Sequence, residues 1–329
     1  QKFELSIPLY RQEKEWEALG LRLSRATMSN WLLVVYRDWL VHIVHRLKLE
    51  LLKQRYLHID ETHVQVLKEP GRKNTSDSYM WVYCSIRDAV NPIRYFEYQP
   101  GRSGKYPEAF LREYEGYIHT DAYSGYNAVS GVKRCLCYTH LRRAFVDALP
   151  KDIHNSEASK PAEAILRLNQ LFNIESELEA LPPDQKKKER LIREKPLLEA
   201  FWSWAEKSAI GELPKSKLSK AFHYALNNRE GFWNYLEDGN CSISNSLAEN
   251  CIRPFVIGRK NWLFSGSPKG AEASAGIYTL VETAKANGLA PMKYIKYILS
   301  DMPGSAFLEH PEYLDDYLPW NPLVKEFCR

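Results

Sequence analysis

The sequence predicts an α/β fold, a sheet flanked by helices, with an all-helical insertion and a helical segment in front. Strand-like alternation of apolar and polar residues is confined to residues 56–98 and 116–137. Residues 152–237 follow helical spacing only, which indicates the insertion. The chain has 329 residues, of which 44% are hydrophobic and 26% charged. At roughly 150 residues per domain this is about two domains with a substantial core, which excludes a disordered chain.

The first part of the chain, residues 10–55, is predicted to be helical. Ser24 is a candidate N-cap, and the stretch after it is amphipathic as far as Leu52. A short helix, a turn at Gly20 and a second helix from Ser24 are typical of a helix-turn-helix that docks on DNA. A simple pair of packing helices fits the same pattern, so both interpretations stay open.

Strands and helices are then predicted in a defined order. Three strands form an antiparallel meander, a short helix follows, and two more strands and a helix complete the layer. Their ranges are 56–67, 79–86, 93–98, a helix at 107–114, strands at 116–121 and 133–137, and a helix at 139–148. Toward the C-terminus we expect a helix from Ser244 to about Ile257, a glycine-punctuated basic loop, and a helix over 273–286.

Two features of the insertion are interpreted structurally. The charged run Lys186–Arg190 is expected to be a solvated helix face. The aromatic residues are expected to form a core: they are Trp202, Trp204, Phe222 and Trp233.

The charge distribution is more informative than the net charge of +4. Residues 251–296 are strongly basic, and residues 297–329 are acidic. The pattern fits a polyanion-facing surface or simply an uneven surface charge. Six cysteines lack the spacing of a secreted scaffold, and no apolar run reaches the roughly 18 residues that a membrane span requires. With no signal-peptide pattern either, we expect a cytoplasmic protein without a membrane partner.

Two carboxylates occupy informative places in the predicted strands. Asp60 falls in the middle of the first strand and Asp121 ends the fourth. A buried strand carboxylate is costly unless it is paired, protonated or bound to a cation. Two such groups and a third from a helix would hold two Mg²⁺ ions for phosphodiester chemistry. An isolated strand aspartate is more often structural, so spacing alone leaves both readings open.

Several long motifs resemble the bacterial insertion-sequence-66-type transposases. The resemblance runs from Pro8 to Pro322 with the motifs in the family's order. They are His58-Ile-Asp-Glu-Thr-His-Val-Gln-Val-Leu67, Ser78-Tyr-Met-Trp-Val-Tyr83, His119-Thr-Asp-Ala-Tyr-Ser-Gly-Tyr126, Asn245-Ser-Leu-Ala-Glu-Asn-Cys-Ile-Arg-Pro254, Gly258-Arg-Lys-Asn-Trp-Leu-Phe264 and Thr283-Ala-Lys-Ala-Asn-Gly288.

The resemblance implies an RNase H-like mixed sheet with a DDE triad, interrupted by a helical insertion before the last acid. Carried over by motif, Asp60, Asp121 and Glu249 are the catalytic acids and the ligands of two Mg²⁺ or Mn²⁺ ions. Glu61 points to the opposite strand face from Asp60, so only one of the pair can join the site. The family has a doubled Asn ahead of the third acid, whereas this chain has Asn245 and Ser246.

The implied domain layout has five segments. They are a helical N-terminal segment (1–55), the first part of the RNase H-like core (56–150), the helical insertion (151–240), the last part of the core with the third acid (241–300) and a C-terminal tail element (301–329). The chain begins at Gln1, and in this family a DNA-binding segment and a cysteine-rich zinc module would precede it. We therefore expect a trimmed chain.

The supporting residues are basic groups for DNA and one thiol–imidazole pair. Arginine's planar fork suits phosphate oxygens. The predicted DNA contacts are Arg102, Arg142, Arg143, Arg253, Arg259 and Lys260. Cys137-x-x-His140 resembles a signature that follows the second acid in several DDE groups, and Cys135 shares the strand face with Cys137. Zinc prefers four ligands, and Cys137 and His140 offer two, or three with Cys135. A structural zinc site therefore stays open, but the expected state is a buried thiol beside a locally hydrogen-bonded histidine, without zinc.

The function implied is that of a DDE transposase, which cleaves DNA at transposon ends and transfers the strand into target DNA. The expected partners are the terminal repeats, target DNA, other copies of the chain in a homo-oligomer, and accessory transposition proteins. Two alternatives remain at this point: an RNase H-like nuclease or resolvase without strand transfer, and a catalytically idle DNA-binding protein derived from a transposase.

Overall fold

The computed structural model describes residues 1–150 and 159–329, which form two compact units. The first unit consists of Gln1–Tyr114 and Leu247–Arg329, and the second of Glu115–Ser246. The predicted α/β class, with a mixed sheet flanked by helices, is confirmed. The first residues of the predicted insertion, 151–158, lie outside the described part of the chain.

The first unit opens with the predicted helical segment. Its elements are α1 (Leu9–Ala18), α2 (Arg25–Val35), a π-helical turn (Tyr36–Leu40) and α3 (Val41–Leu52). Ser24 caps α2 as expected, since its hydroxyl accepts the N–H of Thr27 at 3.1 Å and satisfies a donor that the helix leaves free. Gly20 has a φ of +85° in the turn before α2, a left-handed conformation that favours glycine.

Three antiparallel strands then form the predicted meander. They are β1 (Tyr56–Val66), β2 (Asp77–Ser85) and β3 (Arg94–Gln99), and α4 (Lys105–Phe110) follows. In this register Asp60 lies opposite Val82, which in turn lies opposite Phe96. The helix α4 starts and ends earlier than predicted. The chain has left helical geometry before Glu113, whose φ is a left-handed 64°.

The second unit contains two parallel strands and a group of helices. They are β4 (Gly116–Thr120), β5 (Val132–Leu136), α5 (Tyr138–Val146), α6 (Lys160–Glu177), α7 (Pro183–Glu189), α8 (Lys195–Ala209), α9 (Lys217–Asn227) and α10 (Arg229–Trp233). Their core is aromatic, with Phe145 edge-on to Phe222 at 5.4 Å between ring centroids. Trp202 and Phe222 are fully buried as predicted, whereas Trp204 and Trp233 are half-buried.

The charged run Lys186–Arg190, which begins within α7, is not a solvated face throughout, and that prediction was wrong at Arg190. The Arg190 side chain is 0% exposed and is paired bidentately with Glu175 at 2.6 and 2.8 Å. It also donates to the carbonyls of Tyr235 and Cys241 at 3.1 and 2.8 Å. A buried guanidinium is tolerated because its donors meet a carboxylate and backbone carbonyls.

The chain returns to the first unit with α11 (Ser246–Trp262), β6 (Phe264–Ser265), α12 (Pro268–Ala286), α13 (Pro291–Asp301) and α14 (Pro322–Cys328). The strand β6 pairs in parallel with the end of β1, which makes the sheet mixed. The predicted basic loop after Ile257 is wrong, since α11 continues to Trp262. A glycine at position 258 allows α11 to pack closely against Tyr278, because a Cβ there would lie 2.5 Å from the tyrosine hydroxyl.

The helix α12 closes the free edge of β3. The hydroxyl of Thr279 accepts the N–H of Phe96 at 2.8 Å, and that of Thr283 accepts the N–H of Arg94 at 3.1 Å. Both threonines are completely buried. Side chains thereby take the backbone donors that an exposed edge strand would offer to another chain. Within residues 1–150 and 159–329, none of the helices is long and apolar enough to cross a bilayer.

Candidate active site

Asp60 lies on one face of β1, together with His58 and Thr62, because successive strand side chains alternate. The residue is half-buried, and its Oδ1 accepts the backbone N–H of Glu61 at 2.9 Å. Cys84 of β2 lies opposite His58 in the register, so its thiol is on this face as well. The Asp60 carboxylate therefore belongs to the face of the sheet that His58, Thr62 and Cys84 define.

The helix α11 lies across that same face. The thiol of Cys251 is hydrogen-bonded to that of Cys84, and burial raises the pKa of Cys84 well above its usual range. Further along the helix, Arg259 donates to Oγ1 of Thr62 at 2.9 Å and also to the carbonyl of His63. The first contact is with β2, at the residue opposite His58, and the second is with β1, two residues beyond Asp60. The sheet face that carries Asp60 is thus in contact with α11 at both β2 and β1.

Glu249 is in the first turn of this helix, two residues before Cys251. It is half-buried. Free N–H groups and the macrodipole make the start of a helix a favourable place for a carboxylate. The first unit therefore holds two of the three predicted acids on two elements in direct contact, β1 and α11.

Glu61 is turned away from this face, as the strand alternation predicts. Its side chain is 2% exposed and is paired with the guanidinium of Arg102 at 2.5 Å. The cation neutralises a carboxylate that would otherwise be costly to bury. Arg102, one of the predicted DNA contacts, is therefore already paired with a carboxylate of the protein, although 40% of its side chain is exposed.

Asp121 belongs to the second unit, directly after β4. Its Oδ1 accepts the N–H of Tyr123 at 2.9 Å, an Asx turn that orients the carboxylate. Arg134 of β5 donates to the backbone carbonyls of Asp121 and Tyr123 at 2.6 and 2.8 Å. Sequence reasoning missed Arg134. The available signal was its position two residues before the apolar Leu136 on a short strand, which directs an arginine toward the interior.

Cys137 and His140 are hydrogen-bonded to each other at the start of α5. The thiol of Cys137 also accepts the N–H of Asn245 at 3.1 Å. Burial raises the pKa of Cys137, but hydrogen bonds from His140 and the Asn245 backbone outweigh it, so the net pKa is lowered.

Cys135 belongs to a different cluster, which the sequence did not indicate. His119, Cys135 and Cys241 are all buried, and their nitrogen and sulfur atoms lie within 4.8 Å of one another. The hydrogen bond from Cys135, with one from His119, lowers the pKa of Cys241 to about 6. Nε2 of His119 accepts the N–H of Ser242 at 2.8 Å, so the neutral ring carries its proton on Nδ1. No lone pair of that ring is left for an ion, and the cluster is held by hydrogen bonds.

The remaining predicted DNA contacts differ in exposure. Arg253 and Lys260 are exposed on α11, whereas Arg259 is half-buried in the contact with β1. In the second unit, Arg143 is exposed near the end of α5, and Arg142 donates to Oδ1 of Asn169 at 2.8 Å. Exposed guanidinium and ammonium groups are the ones available to phosphate.

Comparisons with known proteins show which family the chain resembles. A family model described as "Transposase IS66 family" matches residues 1–273. The chain is 27% identical over 340 residues to the uncharacterized protein y4hP of Sinorhizobium fredii, and 28% identical over 343 residues to the uncharacterized protein y4qI of the same organism. Each alignment covers 97% of this chain and 60% of the relative, so the chain spans about 60% of the length of these relatives. No solved structure was found to match. With most of its length matched by the family model, the chain belongs to the IS66 transposase family.

Proposed function

We propose that this chain is the catalytic region of a DDE transposase, which cleaves DNA at transposon ends and joins the freed 3′-hydroxyl to target DNA. Family membership indicates an enzyme of the DNA-cleaving kind with DNA as its partner. The observation that carries the finer proposal is the contact of α11 with the sheet face of Asp60, at Cys84 of β2 through Cys251 and at Thr62 of β1 through Arg259. It supports a shared role for Asp60 and Glu249.

The proposed metal ligands are Asp60, Asp121 and Glu249. The donor set fits a hard divalent cation, since Mg²⁺ and Mn²⁺ prefer carboxylate oxygens. Asp60 and Asp121 each have one oxygen oriented by a backbone N–H, at 2.9 Å in both cases. When bound, two such ions activate the attacking oxygen and stabilise the leaving oxygen in phosphodiester chemistry. The protein's part is to orient the carboxylates and to position DNA.

Positioning of DNA is assigned to the exposed basic groups. Arg253 and Lys260 project from the helix that carries Glu249, and Arg143 is exposed in the second unit. Contacts to phosphate make affinity fall with salt, by a slope of roughly 0.9 per phosphate in a double-logarithmic plot for duplex DNA. Arg102, Arg142 and Arg259 keep their proposed DNA role only in part, because each already has a protein partner.

Three further expectations complete the proposal. The RNase H-like core would be formed by residues 56–150 and 241–300, with residues 151–240 inserted, residues 1–55 as a helical segment in front and residues 301–329 as a tail element. The active complex would be a homo-oligomer on the terminal repeats, assisted by accessory proteins. Its place of action would be the bacterial cytoplasm.

The test is cleavage of a plasmid that carries the DNA flanking the gene, with Mg²⁺ or Mn²⁺, by the full protein and its variants. Asp60→Asn, Asp121→Asn and Glu249→Gln should each abolish cleavage and strand joining while DNA binding in a filter assay is largely retained. Asp77→Asn, which changes an exposed strand aspartate on β2, is the matched control and should cleave normally.

Each outcome separates the candidate functions. Cleavage retained in any of the three variants removes that residue from the active site. Metal-dependent cleavage without joined products would identify a nuclease or resolvase. DNA binding without cleavage by the unaltered protein would identify an idle DNA-binding protein.

A further inference from the structure

Arg134 is at the centre of a network in the second unit. Its Nε donates to Oγ1 of Thr120 at 2.7 Å, and its Nη1 donates to Oδ1 of Asn127 at 2.6 Å. Its Nη2 donates to the carbonyls of Asp121 and Tyr123 at 2.6 and 2.8 Å. One side chain on β5 thus binds four acceptors of the segment 120–127.

Residues 120–127 pack closely around the guanidinium of Arg134. The ring of Tyr126 is buried, with its centroid 5.2 Å from the guanidinium carbon of Arg134, which adds a cation–π contact. The turn is also tight, since a Cβ on Gly125 would lie 2.2 Å from the ring of Tyr123. Without the guanidinium, the carbonyls of Asp121 and Tyr123 would lose their shared donor.

The carboxylate of Asp121 depends on that backbone path. Its Oδ1 accepts the N–H of Tyr123, so its orientation follows from the relative positions of residues 121 and 123. Arg134 fixes both positions through their carbonyls. Groups that orient a ligand from behind typically change metal affinity by about 10- to 100-fold when they are removed.

We propose that Arg134 is a positioning residue for Asp121, which holds the carboxylate in the orientation that a divalent cation requires. The inference rests on the proposed function, since it takes Asp121 to be a metal ligand. The chemistry requires an arginine. A planar fork with five donors reaches side-chain and backbone acceptors at the same time, whereas a lysine ammonium is a point charge with three donors.

The experiment measures Mn²⁺ binding by isothermal titration calorimetry and, separately, the Mn²⁺ concentration needed for half-maximal cleavage. Arg134→Lys and Arg134→Gln should both bind Mn²⁺ about 10- to 100-fold more weakly and shift the half-maximal concentration by the same factor. Saturating Mn²⁺ should restore most of the cleavage rate. A folded variant that had lost only stability would bind Mn²⁺ normally in the calorimeter.

Matched variants keep the result interpretable. Lys133→Gln changes the neighbouring exposed residue of β5, which is paired with Glu237, and should bind Mn²⁺ like the unaltered protein. If the Arg134 variants do not fold, Thr120→Val removes one acceptor of the network from a completely buried position and should weaken Mn²⁺ binding several-fold.

Asp121→Asn distinguishes a failure of the proposed metal site from a failure of the positioning role of Arg134. If Asp121→Asn leaves Mn²⁺ affinity unchanged, the metal site of the proposed function is wrong. If Asp121→Asn weakens binding while folded Arg134→Lys or Thr120→Val binds Mn²⁺ normally, the positioning role of Arg134 is overturned and the proposed function stands.

Discussion

Arg259 of α11 is hydrogen-bonded to Thr62 of β1, at 2.9 Å from Nη1 to Oγ1. Thr62 lies two residues beyond Asp60 on the same strand face, and Arg259 is on the helix that carries Glu249 in its first turn. The same guanidinium also donates to the carbonyl of His63. The family resemblance predicts that Arg259 contacts phosphate. In the structure it instead links α11 to β1, the two elements that carry two of the proposed catalytic acids.

The first prediction concerns this hydrogen bond between Arg259 and Thr62. Arg259→Ala, Thr62→Val and the double variant should give a coupling free energy of unfolding of about 1 kcal/mol in urea titrations, because one charged hydrogen bond is lost in each. Cleavage should fall in Arg259→Ala even at DNA concentrations that saturate binding. Lys260→Ala, at the exposed neighbouring position, should leave the unfolding free energy unchanged. A coupling free energy of zero would show that the contact does not stabilise the packing of α11 on β1.

The second prediction concerns the buried carboxylate beside Asp60. Arg102→Ala removes the cation from Glu61, whose side chain is 2% exposed, and should destabilise the protein by about 2 kcal/mol. This is less than for a fully buried pair, because 40% of the arginine side chain is in contact with solvent. Adding Glu61→Gln should recover much of the loss in thermal unfolding. If Arg102→Ala weakens DNA binding without changing stability, the ion pair is not its main role.

The third prediction concerns pH. Burial, together with the nearby charge of Glu175, raises the pKa of Glu194 from 4.5 to about 8, although Tyr235 donates to this carboxyl at 2.6 Å. Between these two values the folded protein holds a proton that the unfolded chain has lost. The free energy of unfolding should therefore decrease as pH rises from about 4.5 to about 8, by about 1.4 kcal/mol per pH unit at most.

Glu194→Gln is neutral throughout and should remove this decrease. The measurement is urea unfolding of both proteins at several pH values from 5 to 8. The variant should match the unaltered protein near pH 5 and exceed it near pH 8. Parallel pH profiles would contradict a raised pKa at Glu194.

The fourth prediction concerns the edge of the sheet. Thr279→Val is nearly isosteric but leaves the buried N–H of Phe96 without the hydroxyl that accepts it at 2.8 Å. The expected loss is about 1–3 kcal/mol of unfolding free energy, the cost of an unsatisfied buried donor. Thr279→Ser keeps the acceptor and should lose less. An equal loss in both variants would show that the methyl group, and not the hydrogen bond, matters at this position.

Local sequence signals predicted much of this protein. Period-two alternation located β1, β2 and β3 within two residues, and the serine before a helical stretch identified the cap of α2. The motifs predicted the family. Strand alternation also separated Asp60 from Glu61, because neighbouring strand side chains cannot point to the same face.

Other features depended on contacts between distant residues, which a local pattern cannot contain. Gly258 is typical of a loop in the sequence, yet it lies within α11. A glycine is required there because a Cβ would lie 2.5 Å from the hydroxyl of Tyr278. Arg190 stands in a run of charges and is nevertheless buried, since Glu175 and backbone carbonyls from residues 235–241 surround it.

The sequence by itself determined the α/β class, the strand order along the chain and the identity of the acids to be tested. Only the tertiary structure decided the partners of two arginines: Arg259 of α11 is hydrogen-bonded to Thr62 of β1, and Arg134 to the backbone carbonyl of Asp121. The physical reason is that alternation and helical period are set by neighbours in sequence. The partner of a guanidinium is set by which distant backbone and side-chain acceptors the fold brings within about 3 Å.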